Sequence, residues 1–315
     1  MNKAFIFPGQ GSQHVGMGKE LYKNFDVAKN IFDSVDDELN FKLSKIIFEG
    51  PEEELNKTEN TQPALMTASI AALNVMLNES GKNFENICSV TAGHSLGQYT
   101  AMVASGCFDY RVAAKILKFR GKFMQDACSL GQGAMAAVLG AEKYIVDEVL
   151  QNSVTNDEIC QIANHNSSNQ IVISGHVRAV EKSIAEFKAL GIKAIKLNVS
   201  APFHSKLMDP AKEKMKEILD QVQIKNAKID IIDNVSIAFT KDGNFLKERL
   251  LEQIPGTIRW KETMDLLSDK IDIAIEVGPG KVLTNMIKRS SNIPKAQNLF
   301  TIDEIKNYID EYSVL

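Results

Sequence analysis

Long apolar runs are missing from this sequence. No stretch approaches the roughly 18 residues that a membrane-crossing helix needs. The apolar run near the N-terminus ends at Pro8 after four residues, too short for the core of a secretion signal. Cysteine is scarce. The four present (Cys88, Cys107, Cys128, Cys160) lie far apart and form no C-x-x-C, so a metal site or a disulfide framework is not expected and reduced core thiols are. No strong charge excess exists either: the formal net charge is −4, which gives nothing to attract nucleic acid. Internal repeats and low-complexity segments are absent, and no Gly-Lys-Ser/Thr follows the glycine-rich loop near the N-terminus, so that loop is not a P-loop. These absences point to a cytoplasmic protein, or its equivalent inside an organelle.

What is present is an ordinary globular composition, 44% hydrophobic and 24% charged over 315 residues. That length suits one large core and a smaller one. Residues 3–7 read as a buried strand running into Pro8-Gly9-Gln10-Gly11-Ser12-Gln13, a loop suited to backbone N–H donation. Residues 18–50 are helical in pattern. Thr61 reads as an N-cap and Pro63 as first-turn proline of a helix reaching Leu77. A strand over 87–92 precedes a helix over 96–104, and an amphipathic helix over 109–126 follows. Its charged run 118–122 reads as a solvated face.

From Gly131 the pattern changes. Strand 134–139, helix 141–151, strands 159–163 and 171–174 joined by a polar loop 164–169, helix 177–190 and strand 194–197 give the order β-α-β-β-α-β, a ferredoxin-like arrangement. This predicts an inserted subdomain over 132–199 within a domain built from 1–131 and 200–315. After the insert come helix 209–222, strand 229–235, helices 245–253 and 260–268, strand 271–276, helix 282–289 and a terminal strand end and helix over 300–312. Strands alternating with helices predict a parallel sheet covered on both faces.

The stretch with most chemical content is Gly93-His94-Ser95-Leu96-Gly97, between a strand and a helix. This is the context of a nucleophile elbow. The glycines let neighbouring backbone pass closely, and the helix N-terminus favours negative charge beside the serine. The simpler reading of the bare motif is a tight turn capped by serine. A nucleophilic serine needs a base. The five histidines are His14, His94, His165, His176 and His204. Position ranks His204 first, because it sits in a loop where the chain leaves the insert, but spacing leaves the others open. Arg120 could clamp a substrate carboxylate through paired hydrogen bonds; by spacing alone a solvated arginine on a helix face is the better-supported reading.

Six motifs occur in order: residues 7–13 (FPGQGSQ), 61–65 (TQPAL), 93–97 (GHSLG), 120–124 (RGKFM), 200–205 (SAPFHS) and 276–283 (EVGPGKVL). Together they resemble the malonyl-CoA:acyl carrier protein transacylase family of fatty acid synthesis, over residues 3 to about 289. The resemblance implies an α/β-hydrolase-like large domain with a parallel sheet, an inserted ferredoxin-like subdomain, and an active site in the cleft between them. It implies that Ser95 is the acyl-accepting nucleophile and His204 the general base and acid. Arg120 holds the malonyl carboxylate, and Gln10 and Leu96 donate the oxyanion-hole N–H groups. Gln253 orients the histidine through its backbone carbonyl, with no acid as third member. Asn166 and Phe203 join the substrate-binding set, Phe203 by narrowing the space beside the malonyl methylene.

The implied reaction is ping-pong transfer from malonyl-CoA to the phosphopantetheine thiol of acyl carrier protein, by a monomer, with no metal, cofactor, nucleic acid or membrane. The same motifs leave open a malonyl transferase serving a polyketide synthase, an acyl hydrolase, and a non-catalytic acyl-binding protein. Three departures from the family pattern stand out: Gln98 in place of Glu, Ser168 in place of Pro, and Pro255-Gly256-Thr257-Ile258 where Asn-Pro-Val is usual.

Overall fold

The computed structural model describes residues 1–129, 131–155, 157–199 and 201–312. Among these residues ten strands follow one another: β1 (Lys3–Phe7), β2 (Val90–Gly93), β3 (Gly133–Leu139), β4 (Cys160–Ser167), β5 (Gln170–His176), β6 (Lys193–Lys196), β7 (Asp230–Ile232), β8 (Phe239–Thr240), β9 (Ile273–Val277) and β10 (Lys295–Leu299). They form two sheets. The larger has the order β10-β9-β1-β2-β7-β8, parallel throughout except for the β7–β8 pair. The smaller, β4-β5-β3-β6, is antiparallel and carries the ferredoxin-like order the sequence predicts.

Strand alternation explains the layers. In β1, Phe5 and Phe7 enter one apolar cluster with helices Thr58–Ser80 and Tyr110–Asp126, while Ala4 and Ile6 enter a second with Trp260, Met264 and Leu283. A central parallel strand is therefore apolar on both faces. In β3 the same alternation divides the small sheet. Ala134, Ala136 and Val138 pack against its own helices Lys143–Ser153 and Val177–Ala189, whereas Met135 and Ala137 face the large domain.

Several elements differ from the sequence reading. The pattern over 18–50 is three helices, Lys19–Asn24, Asp26–Leu39 and Leu43–Glu49. The helix read from Thr61 begins at Thr58, and Thr61 is not its cap: its hydroxyl donates to the Leu55 carbonyl at 2.6 Å rather than accepting a backbone N–H. The strand read over 87–92 is a helical turn, Phe84–Ile87, and then β2. The polar loop read over 164–169 is mostly strand, with a turn left only at Ser168 and Asn169. Here alternation, not polarity, decides: Asn164 and Asn166 line the interdomain cavity while His165 points to Glu262. Strand 229–235 stops at Ile232 because Asp233 turns the chain by accepting from the backbone N–H groups of Val235 and Ser236. Strand β8 was not anticipated, and the strand end read at 300 is β10, which lies just before it and ends at Leu299.

The two sheets are joined beside the functional site. The Thr257 hydroxyl donates to the Ile162 carbonyl at 2.6 Å, the Ile258 N–H to Ala163 at 2.8 Å, and the His165 N–H back to Ile258 at 2.9 Å. The atypical segment 255–258 is thus the seam to β4.

One close helix contact places Arg120. The helix Tyr110–Asp126 crosses the start of Thr58–Ser80 at Gly121, where an added Cβ would lie 2.4 Å from the Thr58 carbonyl oxygen. Gly121→Ala should force these helices apart and lower unfolding free energy by about 1–3 kcal/mol, the usual cost of overpacking; urea denaturation checks it, and an unchanged midpoint would refute the close packing.

Candidate active site

The centre of the site is the turn between β2 and helix Gly97–Ala104. Ser95 has φ 52°, in the left-handed region, where a non-glycine residue is strained by about 1–3 kcal/mol. The turn is so tight that a Cβ on Gly93 would lie 1.9 Å from the Gly97 carbonyl oxygen, and one on Gly97 would lie 2.3 Å from that of Phe7. Side chains hold the strained residue. The Ser95 N–H donates to Asn234 Oδ1 at 2.9 Å, Asn234 Nδ2 donates to the Gly93 carbonyl at 2.9 Å, and Gln253 Nε2 donates to the Ser95 carbonyl at 3.1 Å.

Ser95 Oγ lies 2.8 Å from His204 Nε2. His204 Nδ1 lies 2.9 Å from the Gln253 carbonyl oxygen. A carbonyl only accepts, so Nδ1 carries the hydrogen and Nε2 is free to take the serine proton. His204 also has positive φ, 56°, so Ser95 and His204 both sit on constrained backbone. Burial, and then the nearby Arg120 charge, push the His204 pKa down to about 3. The other histidines lie apart from Ser95 Oγ. His94 turns away, with Nε2 2.9 Å from Asn166 Oδ1 and its ring edge-on to Trp260. His165 pairs with Glu262, and His176 Nδ1 accepts the Ile159 N–H. His14 lies in a separate surface hollow.

Arg120, read as one of a solvated run, is buried, 1% exposed. Nη1 donates to Gln62 Oε1 at 2.8 Å, and Nη2 to Gln253 Oε1 at 2.9 Å and to Ser95 Oγ at 3.1 Å. Nε is buried without a partner, and among the described residues the guanidinium has no carboxylate neighbour. Among the described residues it meets neutral amides, a hydroxyl and the Tyr99 ring. A buried cation in this state is a receptor for an anion.

A cavity of about 270 Å³ opens over Ser95, bounded by Gln10, Leu96, Arg120, Phe203 and His204 and by apolar residues of β3 and β5. Leu96 stands at the N-terminus of helix Gly97–Ala104. Gln10 lies on the loop after β1, held against the elbow because Gly9 leaves room: a Cβ there would lie 2.8 Å from the His94 carbonyl oxygen. Among the described residues no group accepts from the Gln10 or Leu96 N–H. The Ser95 N–H, by contrast, is consumed by Asn234. Asn166 lines the cavity too, but both ends of its amide are engaged, Oδ1 by His94 and Nδ2 by Gln170 Oε1 at 3.0 Å. Ser200, first residue of the SAPFHS motif, lies outside the described residues.

The sequence reading did not single out Asn234, Gln62 or the role of Gln98. Gln62 stands in a motif it quoted, and Asn234 is an amide at the end of an apolar strand run. Gln98 is fully buried; its Oε1 accepts from the Asn234 N–H at 3.1 Å and from Gln253 Nε2 at 2.9 Å.

A serine activated by a carbonyl-backed histidine, beside an unpaired cation, is equipped for acyl transfer. Comparison with known proteins agrees. Residues 4–304 match the family model described as acyl transferase domain. A malonyl CoA-acyl carrier protein transacylase of Bacillus subtilis is 46% identical over 91% of this chain and 89% of its own. The chain belongs to the malonyl-CoA:acyl carrier protein transacylase family. A crystal structure of an acyl-carrier-protein-S-malonyltransferase from Bartonella henselae superposes on this acyltransferase with TM-score 0.96 at 42% identity, covering 99% of both chains. A malonyl-transacylase solved in complex with its type II polyketide synthase acyl-carrier protein gives TM-score 0.94 at 35% identity, covering 99% of this chain and 100% of that one.

The depressed histidine makes a pH prediction. Only neutral His204 accepts the serine proton, and its pKa is lowered, so the active form persists well below the usual range of about 6.5. Ser95 reactivity should therefore hold as pH falls through that range and be lost only toward about 3. A rate profile with its acid limb at an ordinary histidine value would contradict the buried geometry.

Proposed function

We propose that this acyltransferase moves the malonyl group of malonyl-CoA to the phosphopantetheine thiol of acyl carrier protein through a malonyl ester on Ser95, supplying fatty acid elongation. The observation that carries this reading is the buried Arg120 guanidinium, without a carboxylate partner, 3.1 Å from Ser95 Oγ.

In the first half-reaction the Ser95 hydroxyl proton passes to His204 Nε2 as Oγ attacks the thioester carbonyl. The oxyanion is stabilised by the N–H groups of Gln10 and Leu96; losing one such donor typically costs about 10²–10³ in rate. The intermediate collapses, the carbon–sulfur bond breaks, and the CoA sulfur takes the proton from His204. In the second half-reaction the carrier thiol gives its proton to His204 and its sulfur attacks the ester. The carbon–oxygen bond breaks and Ser95 regains its proton. One thioester replaces another, so the exchange is nearly balanced. The Gln253 carbonyl holds the Nδ1 hydrogen throughout.

Arg120 acts twice in this scheme. Its free N–H groups receive the malonyl carboxylate, and that negative charge offsets the cation which helps depress the His204 pKa. Malonyl binding thereby strengthens the base, as matched general-base catalysis requires. Acetyl-CoA, without the carboxylate, gains neither effect. Phe203, adjacent to His204 and on the cavity wall, narrows the space beside the malonyl methylene. Asn166 contributes by fixing His94 and the cavity rim.

No resident cofactor is needed, since CoA thioester and carrier thiol supply both reacting groups. We take the protein to be a cytoplasmic monomer that engages neither nucleic acid nor membrane, in keeping with its net charge of −4. Residues 1–131 and 200–315 form the catalytic domain and 132–199 the cover of the acyl site. The polyketide-serving relative makes the same chemistry in that pathway a second reading. A hydrolase has no use for a buried carboxylate clamp.

Intact-mass spectrometry after brief mixing with malonyl-CoA tests the reading. A malonyl-sized gain should appear, vanish in Ser95→Ala, and be discharged by the carrier. Arg120→Ala should lower malonyl-CoA kcat/KM by about 10²-fold or more, the usual cost of leaving a buried charge unpaired, and shrink the preference over acetyl-CoA. Free malonate released without carrier would favour the hydrolase.

A further inference from the structure

We propose that Asn234 is a positioning residue for the nucleophile: it holds Ser95 in its strained conformation and withdraws the Ser95 N–H from the oxyanion. The proposal rests on Ser95 being the acyl acceptor.

The geometry is specific. Asn234 is fully buried and lies 139 residues from Ser95 in the chain. Its amide spans the elbow, Oδ1 accepting the Ser95 N–H and Nδ2 donating to the Gly93 carbonyl, each at 2.9 Å. These two bonds clamp the residues on either side of the strained turn. A serine with φ 52° relaxes toward ordinary backbone unless its surroundings over-determine it, and relaxation swings Oγ away from His204 Nε2.

Asn234 is itself fixed from three sides. The Asp233 carboxylate, buried and turned onto its own loop, closes the bend that aims Asn234 at the elbow. Gln98 Oε1 accepts the Asn234 backbone N–H at 3.1 Å, and Gln253 Nε2, whose two hydrogens are shared among three acceptors, lies 2.9 Å from Asn234 Oδ1. Gln253 also backs His204, so nucleophile and base share one support. The Arg120 clamp has a second anchor in Gln62, which Asn234 does not touch.

That separation sets the test. In Asn234→Ala, kcat for malonyl transfer should fall about 10²-fold, the scale of an ångström-level misplacement, with KM for malonyl-CoA within about threefold because the clamp is intact. A second readout needs no malonyl group: covalent labelling of Ser95 by a fluorophosphonate, in which Oγ displaces fluoride from phosphorus and His204 takes the hydroxyl proton. Its rate should fall in parallel, about 10²-fold. Thermal melting establishes that the variant is folded at the assay temperature. If it is not, the isosteric Asn234→Asp replaces it. The ionised side chain keeps the acceptor for Ser95 and loses the donor to Gly93, and about a tenfold loss is expected, on the scale of one hydrogen bond. Labelling at the unsubstituted rate, or a rise in KM matching the fall in kcat, would overturn the proposal. If the unsubstituted protein itself is not labelled at Ser95, the assignment of the nucleophile fails instead, and with it the basis for a positioning role.

Discussion

Burying an unpaired guanidinium costs several kcal/mol unless other groups replace water around it. Here the replacement is made by side-chain amides. Gln62 and Gln253 direct neutral oxygens at Arg120, which solvate the cation without cancelling its charge. Much of the surrounding fold serves to bring those amides together. Gln62 comes from the long helix Thr58–Ser80, Gln253 from the end of helix Gly243–Gln253, and Arg120 from the helix packed on Gly121. Three elements distant in sequence converge so that one positive charge faces Ser95 with bonds to spare.

The same amides carry a second burden, the strain at Ser95 and His204. Both residues have left-handed backbone, and neither is glycine, so local sequence alone would not keep them there. Glycines at 93 and 97 permit the sharp turn but do not enforce it. Enforcement comes from Asn234 and Gln253, which satisfy backbone groups that a tight turn would otherwise leave unpaired. The amides that make these bonds do not titrate; the carboxylate behind them, Asp233, shapes the loop that carries Asn234.

How much of this was legible in the sequence follows from what each feature depends on. The elbow, His204 and Arg120 lie in ordered local motifs, and their residue types restrict the chemistry. Alternating strands and helices announced the two sheets. Asn234 was not legible, because its role exists only through contacts made across 139 residues. Thr61 shows a different failure: a hydroxyl near a helix start looks the same whether it accepts or donates. Segment 164–169 failed because its polar residues suggested a turn, although polar residues alternate along a strand when one face meets a cavity and the other the Glu262 side chain. Arg120 was masked by charged neighbours at 118 and 122 that do reach the surface.

If Arg120 is the carboxylate clamp we propose, the carbonyl rather than a carboxylate behind His204 follows from it. A carboxylate at the place of the Gln253 backbone oxygen would stabilise the imidazolium more strongly. It would also stand near a guanidinium that Gln253 already reaches through its side chain at 2.9 Å. At low dielectric such a charge would pair with Arg120, raise the resting pKa of the base and occupy the place proposed for the substrate's carboxylate. With a neutral carbonyl the resting histidine stays depressed and the cation stays open. On the proposed reading the missing negative charge arrives with the substrate, so that the group which identifies the acyl donor would also complete the electrostatics of the base.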